Sequence, residues 1–483
     1  MPLIIPSNSQ SATGYTIDQS IRFNSADSAY MSRTPSSAGN RKTFTVSLWL
    51  KRGNLAANMN MFGPQTNNTG SGTYGSFRFE NSQDRLEIQD YSNGTYNWYY
   101  STSPRTFRDP SAWYHIVASL DTTNAIASER IKVYINGQRE VGWSGNDGYY
   151  PTLNYEGQWN NTLSHEIGAI QRGSTNQYFD GYLAEIVFID GQALDSSSFG
   201  EYNSSNIWVP KDVSGLTFGT NGFYIDGRDS ADLGDDESGN GNDFTSYGLA
   251  AHDQVPDSPT NNFATINSVY ADVTGANVVT LTEGNLKAAG TSSSFDIKGM
   301  TFNVPKSGKW YMEYTIGGGY DGFGFCVVGQ EGTITPGGNG LGQLSVAQGG
   351  GIQYNGWRNG ASVTVNMGTF TSGHIHQVAI DVDNGKFYYG IQNTYYAADA
   401  GTDGNPSAGT NHTSTFDFAG NDVVLMTAVT TDSNPEHWNF GQNGTFNGTV
   451  TAQGNSDGGG VGNFYYAVPT GYKALCTKNL GAD

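Results

Sequence analysis

Four groups of residues have types and spacings from which chemistry could be built. Retaining glycoside cleavage needs two carboxyl groups about 5–5.5 Å apart, which a Glu-x-Asp-x-x-Glu strand would supply on one face. No such string occurs, and Glu185, alone in Leu183-Ala184-Glu185-Ile186, reads as a solvent-face strand residue. Gly454-Asn455-Ser456-Asp457-Gly458 has the letters of a nucleophile elbow. That device needs a strand before the serine and a helix after it, and here a glycine loop follows. His374-Ile375-His376 sets two imidazoles on one side of a strand, half of a metal site. No Cys or third His lies at ligand spacing, so zinc is not expected and the pair reads as touching neighbours or water. Asp235, Asp236, Glu237, Asn240, Asn242 and Asp243, interleaved with Gly239 and Gly241, form the densest run of oxygen ligands. Calcium takes several such oxygens in flexible geometry, but the same residues build plain loops. The run is a calcium site or an ordered polar linker, and calcium is the one cofactor with support. No phosphate loop is present.

Sugar recognition on a β scaffold uses exposed aromatics that stack on pyranose faces, with Asn, Asp or Arg holding hydroxyls. Candidates in the first half are Trp143, Tyr149, Tyr150, Tyr155 and Trp159. In the second half they are Tyr354 and Trp357-Arg358, within Tyr354-Asn355-Gly356-Trp357-Arg358-Asn359-Gly360. The competing role for each is packing under a long loop or at a subunit contact.

These residues are carried by strands. Phe44–Leu50, Trp113–Ala118, Ile131–Gly137 and Phe179–Phe188 alternate apolar and polar residues, as a half-buried strand requires. A second series runs through Trp310–Ile316, Phe323–Val328, His376–Asp383, Lys386–Gly390, Val423–Val429 and Trp438–Gly441. Asp383-Asn384-Gly385 between two of these runs signals a hairpin with a type I′ turn. With 483 residues, 65 glycines, 36% apolar and 13% aromatic residues, the chain predicts an all-β protein of two β-sandwich (jelly-roll) domains. The expected division is a tail over 1–15, a sandwich over 16–229, an Asp/Asn/Gly-rich linker over 230–265 and a sandwich over 266–483. Without heptads or fixed repeats, oligomers must form through domain faces or edges.

The 24 basic and 44 acidic residues give a net charge of −20. That sign disfavours nucleic acid, whose affinity comes mostly from phosphate neutralisation, and anionic membrane surfaces. The start, Met1-Pro2-Leu3-Ile4-Ile5-Pro6, lacks a secretory signal's basic flank and apolar run, and no stretch reaches the roughly 18 apolar residues of a membrane span. Cys326 and Cys476 are too few for a disulfide framework, and Cys326 reads as a buried thiol.

The first strand series resembles the concanavalin A-like jelly roll of the laminin-G-like kind. The resemblance rests on Phe44–Leu50, Trp113–Ala118 with Asp121, Tyr134–Gly137, His165–Gly168, Phe179–Ile186 and Asp190-Gly191-Gln192-Ala193-Leu194. It implies glycan or protein binding, often with calcium. The second series resembles a SPRY interaction domain through Gly308–Glu313, Gly322–Phe325, Ile380–Tyr388 and Asn439-Phe440-Gly441. Gly222-Phe223-Tyr224, Gly239–Phe244, Asp257–Asn267 and Ala474–Leu480 are similar to structural proteins of marine bacteriophages. Together the resemblances imply a non-enzymatic virion surface protein of the tail- or head-fibre type. It would be made in the host cytoplasm and be homo-oligomeric, with a trimer favoured. Its partners would be other virion proteins and a host-surface polysaccharide or protein. The alternatives are a purely structural decoration or adaptor and a polysaccharide-degrading enzyme.

Overall fold

The computed structural model describes residues 14–55, 57–66, 72–141, 149–171, 176–270, 279–290, 296–317, 320–328, 343–347, 351–358, 361–366, 371–398, 401–416, 420–429 and 435–481. For 296–297, 320–322, 326–327, 343–347, 351–358, 361–366 and 428 it describes the backbone alone. Among these residues the only α-helix is Thr477–Leu480, and no helix is long and apolar enough to cross a membrane. The chain is all-β and divides into two compact units between Asn262 and Phe263.

The first unit is a sandwich of two antiparallel sheets. Sheet A is built from β1 (Ser20–Phe23), β3 (Thr43–Arg52), β8 (Trp113–Asp121), β9 (Ile131–Ile135), β10 (Gln138–Arg139), β14 (Gly181–Asp190), β17 (Phe223–Ile225) and β19 (Gln254–Val255). Its order is β10-β9-β8-β3-β14-β1-β19, with β17 also on β14. Sheet B is built from β2 (Tyr30–Arg33), β4 (Met59–Gln65), β5 (Tyr74–Phe79), β6 (Leu86–Ser92), β7 (Thr95–Ser101), β11 (Ser164–Ile167) and β18 (Thr245–Tyr247). Its order is β18-β2-β11-β4-β5-β6-β7. Two short hairpins complete the unit, β12 (Ala169–Ile170) with β13 (Gln177–Tyr178) and β15 (Gly200–Tyr202) with β16 (Trp208–Pro210). Phe44, Val46, Leu48 and Leu50 of β3 face Phe77, Phe79, Leu86 and Ile88 across one core.

The expected half-buried alternation fails in sheet A: every residue of β14 is buried, and all of β3 from Phe44 onward. Its second face is covered. Val117, Val187, Ile189 and Tyr224 lie beneath Phe199, Val213 and Phe218, and Trp49 and Ala184 beneath Ile17 and Trp208. Asn136-Gly137, at φ +47° and +82°, forms the two-residue turn between β9 and β10. A Cβ at Gly137 would meet the Trp208 ring at 2.3 Å and one at Gly200 would meet it at 2.5 Å, so that indole requires both glycines.

Residues 230–262, expected as a linker, belong to the first sandwich. Leu233 and Phe244 enter its core, β18 pairs with β2, and β19 pairs with β1. Asp253 meets the buried Arg22 at 3.0 Å, and Asp257 meets the buried Lys51 at 2.8 Å. Asp257 also accepts from Trp113 Nε1, while its carbonyl accepts from Ser20. Burial pushes Lys51 below the usual lysine range, and Asp257 opposes that shift. In the stretch that read as a polar linker, Asp253 and Asp257 are the partners of cations on sheet A, which pattern reasoning within a strand cannot reveal.

The second unit is also a sandwich. One sheet is ordered Thr280–Thr282, Lys287–Ala289, Glu436–Asn439, Lys309–Thr315, Ile375–Asp381, Lys386–Ile391, Thr394–Tyr396. The other is ordered Asp296–Val304, Val423–Val429, Tyr320–Val327, Gln343–Ala347, Gly351–Arg358, Ala361–Asn366. The expected hairpin joins Ile375–Asp381 to Lys386–Ile391, but its turn differs. Four residues intervene, only Gly385 among them has positive φ (+60°), and Asp381 Oδ1 accepts from the Asn384 backbone N–H. Val461, Phe464, Tyr472 and Ala474 cover the first sheet's outer face at Tyr311, Ala379 and Tyr388.

Replacing Asp257 with alanine leaves Lys51 as an uncompensated buried charge. The first sandwich is expected to lose about 3–5 kcal/mol, read by urea unfolding followed through tryptophan fluorescence. A loss near zero would show that 257–262 hangs free.

Candidate functional site

Several side chains of the expected catalytic and metal groups are committed to structure. His376 is fully buried, its Nδ1 bonded to the Tyr389 hydroxyl and its ring tilted on Tyr314; burial pushes it down to about 3. Asp457, in the elbow-like string, accepts the backbone N–H groups of Gly459, Val461 and Ala474 and the Asn479 amide. It is a loop brace. Asp236 accepts N–H groups from Tyr224, Ser238 and Asn242, and Asp243 accepts that of Asp236. Asn240 and Asn242 donate to the carbonyls of Gly219, Thr220 and Gly222. Among the described residues no three His, Cys, Asp or Glu side chains are grouped to hold a metal ion. Asp236, Asn240 and Asp243 thus brace this loop through its backbone, while Asp235 and Glu237 contribute backbone N–H bonds to the Asp232 and Tyr224 carbonyls.

Sequence reasoning missed a Ser–His contact on sheet A. His115 Nε2 lies 2.9 Å from Ser47 Oγ, and its Nδ1 accepts from Trp208 Nε1 at 2.9 Å. Indole N–H only donates, so the imidazole proton sits on Nε2 and points at the serine. That tautomer cannot take the serine's proton, and burial pushes the ring down to about 3. The pair is packing, not a nucleophile.

Glu185 is a correction. It is 5% exposed, not on a solvent face. A bulge between Ala184 and Val187 puts it at φ +48° and turns it toward Tyr224 and Tyr15, whose hydroxyls donate to Oε1 at 2.7 and 3.1 Å. Asp226, the residue directly after β17, is ion-paired with Arg228 at 3.1 Å. Burial pushes Glu185 up to about 7. This is a carboxylate neighbourhood, but tyrosines close it.

The outward face of sheet B differs from all of these. Residues alternating with the core positions Phe77, Phe79, Leu86, Ile88, Trp98 and Tyr100 form three cross-strand rows. Tyr74, Tyr91 and Tyr96 pair in the first, Ser76, Gln89 and Tyr99 in the second, and Arg78, Glu87 and Ser101 in the third. Tyr74 and Tyr91 stack at 4.8 Å, Tyr91 meets Tyr96 edge-on at 5.1 Å, and Tyr96 lies 5.3 Å from Tyr99. Arg78 Nε donates to Glu87 at 2.9 Å and its Nη1 donates to Gln177 at 3.2 Å, while the Tyr99 hydroxyl also donates to Glu87. Tyr149 bridges Tyr99 through two backbone hydrogen bonds and so extends the second row. Tyr96 and Tyr149 are 37% and 51% exposed. The Gln89 carboxamide beneath is fully buried, and neither of its polar atoms has a hydrogen-bond partner among the described residues. A buried group left so costs about 1–3 kcal/mol.

Of the expected sugar contacts, Tyr149 therefore joins this face. Tyr150 packs partly buried against the core, and Tyr155 gives its hydroxyl to Asp90 at 2.8 Å. Trp159 is a correction: it is fully buried, stacks on Phe44 at 5.6 Å and donates Nε1–H to the Gln89 carbonyl. Trp143 lies outside the described residues, as do the side chains of Tyr354, Trp357, Arg358 and Cys326. Sequence reading singled out none of Tyr74, Tyr91, Tyr96 and Tyr99. Their common side follows from register, which a single strand does not carry.

Residues 24–197 match the family model described as the concanavalin A-like lectin/glucanases superfamily, of the laminin G type. No curated protein matches the chain. Similar solved structures include a heptameric SAP-like pentraxin from Limulus polyphemus, at 16% identity over 37% of this chain and 78% of that one, TM-score 0.27. They also include the fourth domain of an extracellular arabinanase from Geobacillus stearothermophilus, at 18% over 32% and 64%, TM-score 0.24; this chain spans less than two thirds of it. The SPRY domain of human HERC1 aligns at 9% identity over 32% and 87%, TM-score 0.23.

Because Glu185 is raised to about 7, its stabilising contribution is complete below the unfolded-state value and lost as pH climbs through about 7. Glu185→Gln keeps an oxygen for both tyrosines. Between pH 4.5 and 8 the native chain is expected to lose roughly 3 kcal/mol relative to that variant, measured by paired denaturant titrations. Parallel pH profiles would contradict it.

Proposed function

We propose that this chain is a non-enzymatic glycan-recognition protein whose contact surface is the tyrosine-lined outward face of sheet B. The observation that carries the reading is the cluster of Tyr91, Tyr96, Tyr99 and Tyr149, of which Tyr96 and Tyr149 are exposed. Aromatic faces supply apolar area to a sugar ring, and tyrosine hydroxyls both donate and accept toward its hydroxyls. The carboxylates of this face, Glu87 on β6 and Glu166 on β11, stand three strands apart, roughly 14 Å. The two glycosidase geometries need about 5–9.5 Å. Glu166 receives Gln65 Nε2 and the Gln171 backbone N–H, and burial pushes it up to about 7. Binding without cleavage is the chemistry this arrangement favours.

We place this activity on the surface of a bacteriophage particle, in a homo-oligomer with a trimer favoured. Support comes from the similarity of Gly222–Tyr224, Gly239–Phe244, Asp257–Asn267 and Ala474–Leu480 to phage structural proteins. Repetition of one weak site on several subunits raises avidity through effective concentration.

A glycan array probed with the full chain tests the reading. Tyr96→Ala with Tyr149→Ala is expected to weaken the best hit roughly tenfold with unchanged melting. An array without hits, or hits indifferent to both changes, would remove it. Antibody that fails to decorate purified particles would remove the virion assignment.

A further inference from the structure

The opposite edge of sheet B carries a second aromatic surface. Tyr247 of β18 pairs with Tyr30 of β2, and their rings stack at 4.6 Å with planes 8° apart. Tyr178 of β13 stands 6.4 Å from Tyr30. Tyr30 alternates with the core residue Met31, so this pair shares the outward face with the Tyr91–Tyr96 cluster. Tyr247 is 46% exposed, against 37% for Tyr96. From β18 to β7 there are six strand spacings, roughly 29 Å.

Between the two platforms the face is closed by its own bonds. Asn60 donates to the Ala169 carbonyl and accepts from Ser76, and Gln65 donates to Glu166. Arg78 is the one cation in the three rows, and Glu87 holds it at 2.9 Å. No base on these rows remains to receive an anionic sugar, and the chain's charge of −20 repels one.

Resting on the glycan-binding reading above, we infer that the two tyrosine platforms are separate subsites for a single uncharged, linear polysaccharide, long enough to lie across sheet B and touch both. Each platform alone is weak. A chain held at one presents its next segment to the other at high effective concentration, so affinity climbs with ligand length rather than with any new contact.

The test uses the full chain with neutral mannan and glucan fragments from disaccharide to decasaccharide, alginate as the anionic control, and calorimetry at low and high salt. The expected result is a gain of roughly 10²-fold between short and long neutral fragments, insensitive to salt, and lost in Tyr247→Ala as well as in Tyr96→Ala. Melting curves of both variants, each at an exposed position, should match the parent. Affinity independent of length, or a Tyr247→Ala variant that keeps the gain, overturns the inference while leaving the Tyr96 site standing. Tighter, salt-sensitive binding of alginate overturns the uncharged class. Failure of every glycan removes the proposed function itself.

Discussion

Two stacked sheets have four faces, and only two of them can meet in one core. Everything specific about the first sandwich follows from how the other two are treated. Sheet A carries apolar and polar groups on its second face, including Trp49, His115 and Lys51, and cannot leave them wet without losing the packing around them. Segments from both ends of the unit cross that face, bringing Ile17, Phe199, Val213 and Phe218 as apolar cover and Asp257 as counter-charge. Sheet B's second face is buried along its middle strands, with every residue of β4 inside, and reaches the outside near its two edges, where Tyr96, Tyr149 and Tyr247 are exposed.

Burying sheet A twice also explains why so many of its polar groups resemble reactive ones. A histidine under two indoles, a glutamate under two phenols and a lysine against a carboxylate are each desolvated, and desolvation moves a group away from its charged form whatever its purpose. His115 and Glu185 are shifted for that reason. The second sandwich repeats the device. Glu313 lies fully buried, accepts the Tyr465 and Tyr466 backbone N–H groups, and is pushed up to about 7. There the carboxylate ties the C-terminal segment to the sheet. Perturbed acidity alone is therefore a poor guide to function in this chain, and accessible surface chemistry is the better one.

The Asp- and Asn-rich stretches have a similar logic. Irregular backbone that covers a sheet leaves N–H and C=O groups without ladder partners, and short polar side chains satisfy them. Asp236 and Asp457 each take several backbone amides in this way. Composition that reads as linker or ion ligand is here the mortar of covering loops.

The local pattern of the chain determined the strands and the all-β class, because side-chain direction is set within a few residues, whereas Asn136-Gly137, read as the end of a strand, is a turn. Tyr149 was also recognisable beforehand, as an aromatic among turn formers. Strand pairing decided the rest. Tyr91 and Tyr96 become neighbours, and share a side with Tyr30 and Tyr247, only once seven strands take their order and register. Trp159 became core instead of contact, Glu185 turned inward at a bulge, and residues 230–262 became cover instead of linker. Each reversal depends on residues far away in sequence, and burial is a property of those distant partners rather than of the residue itself.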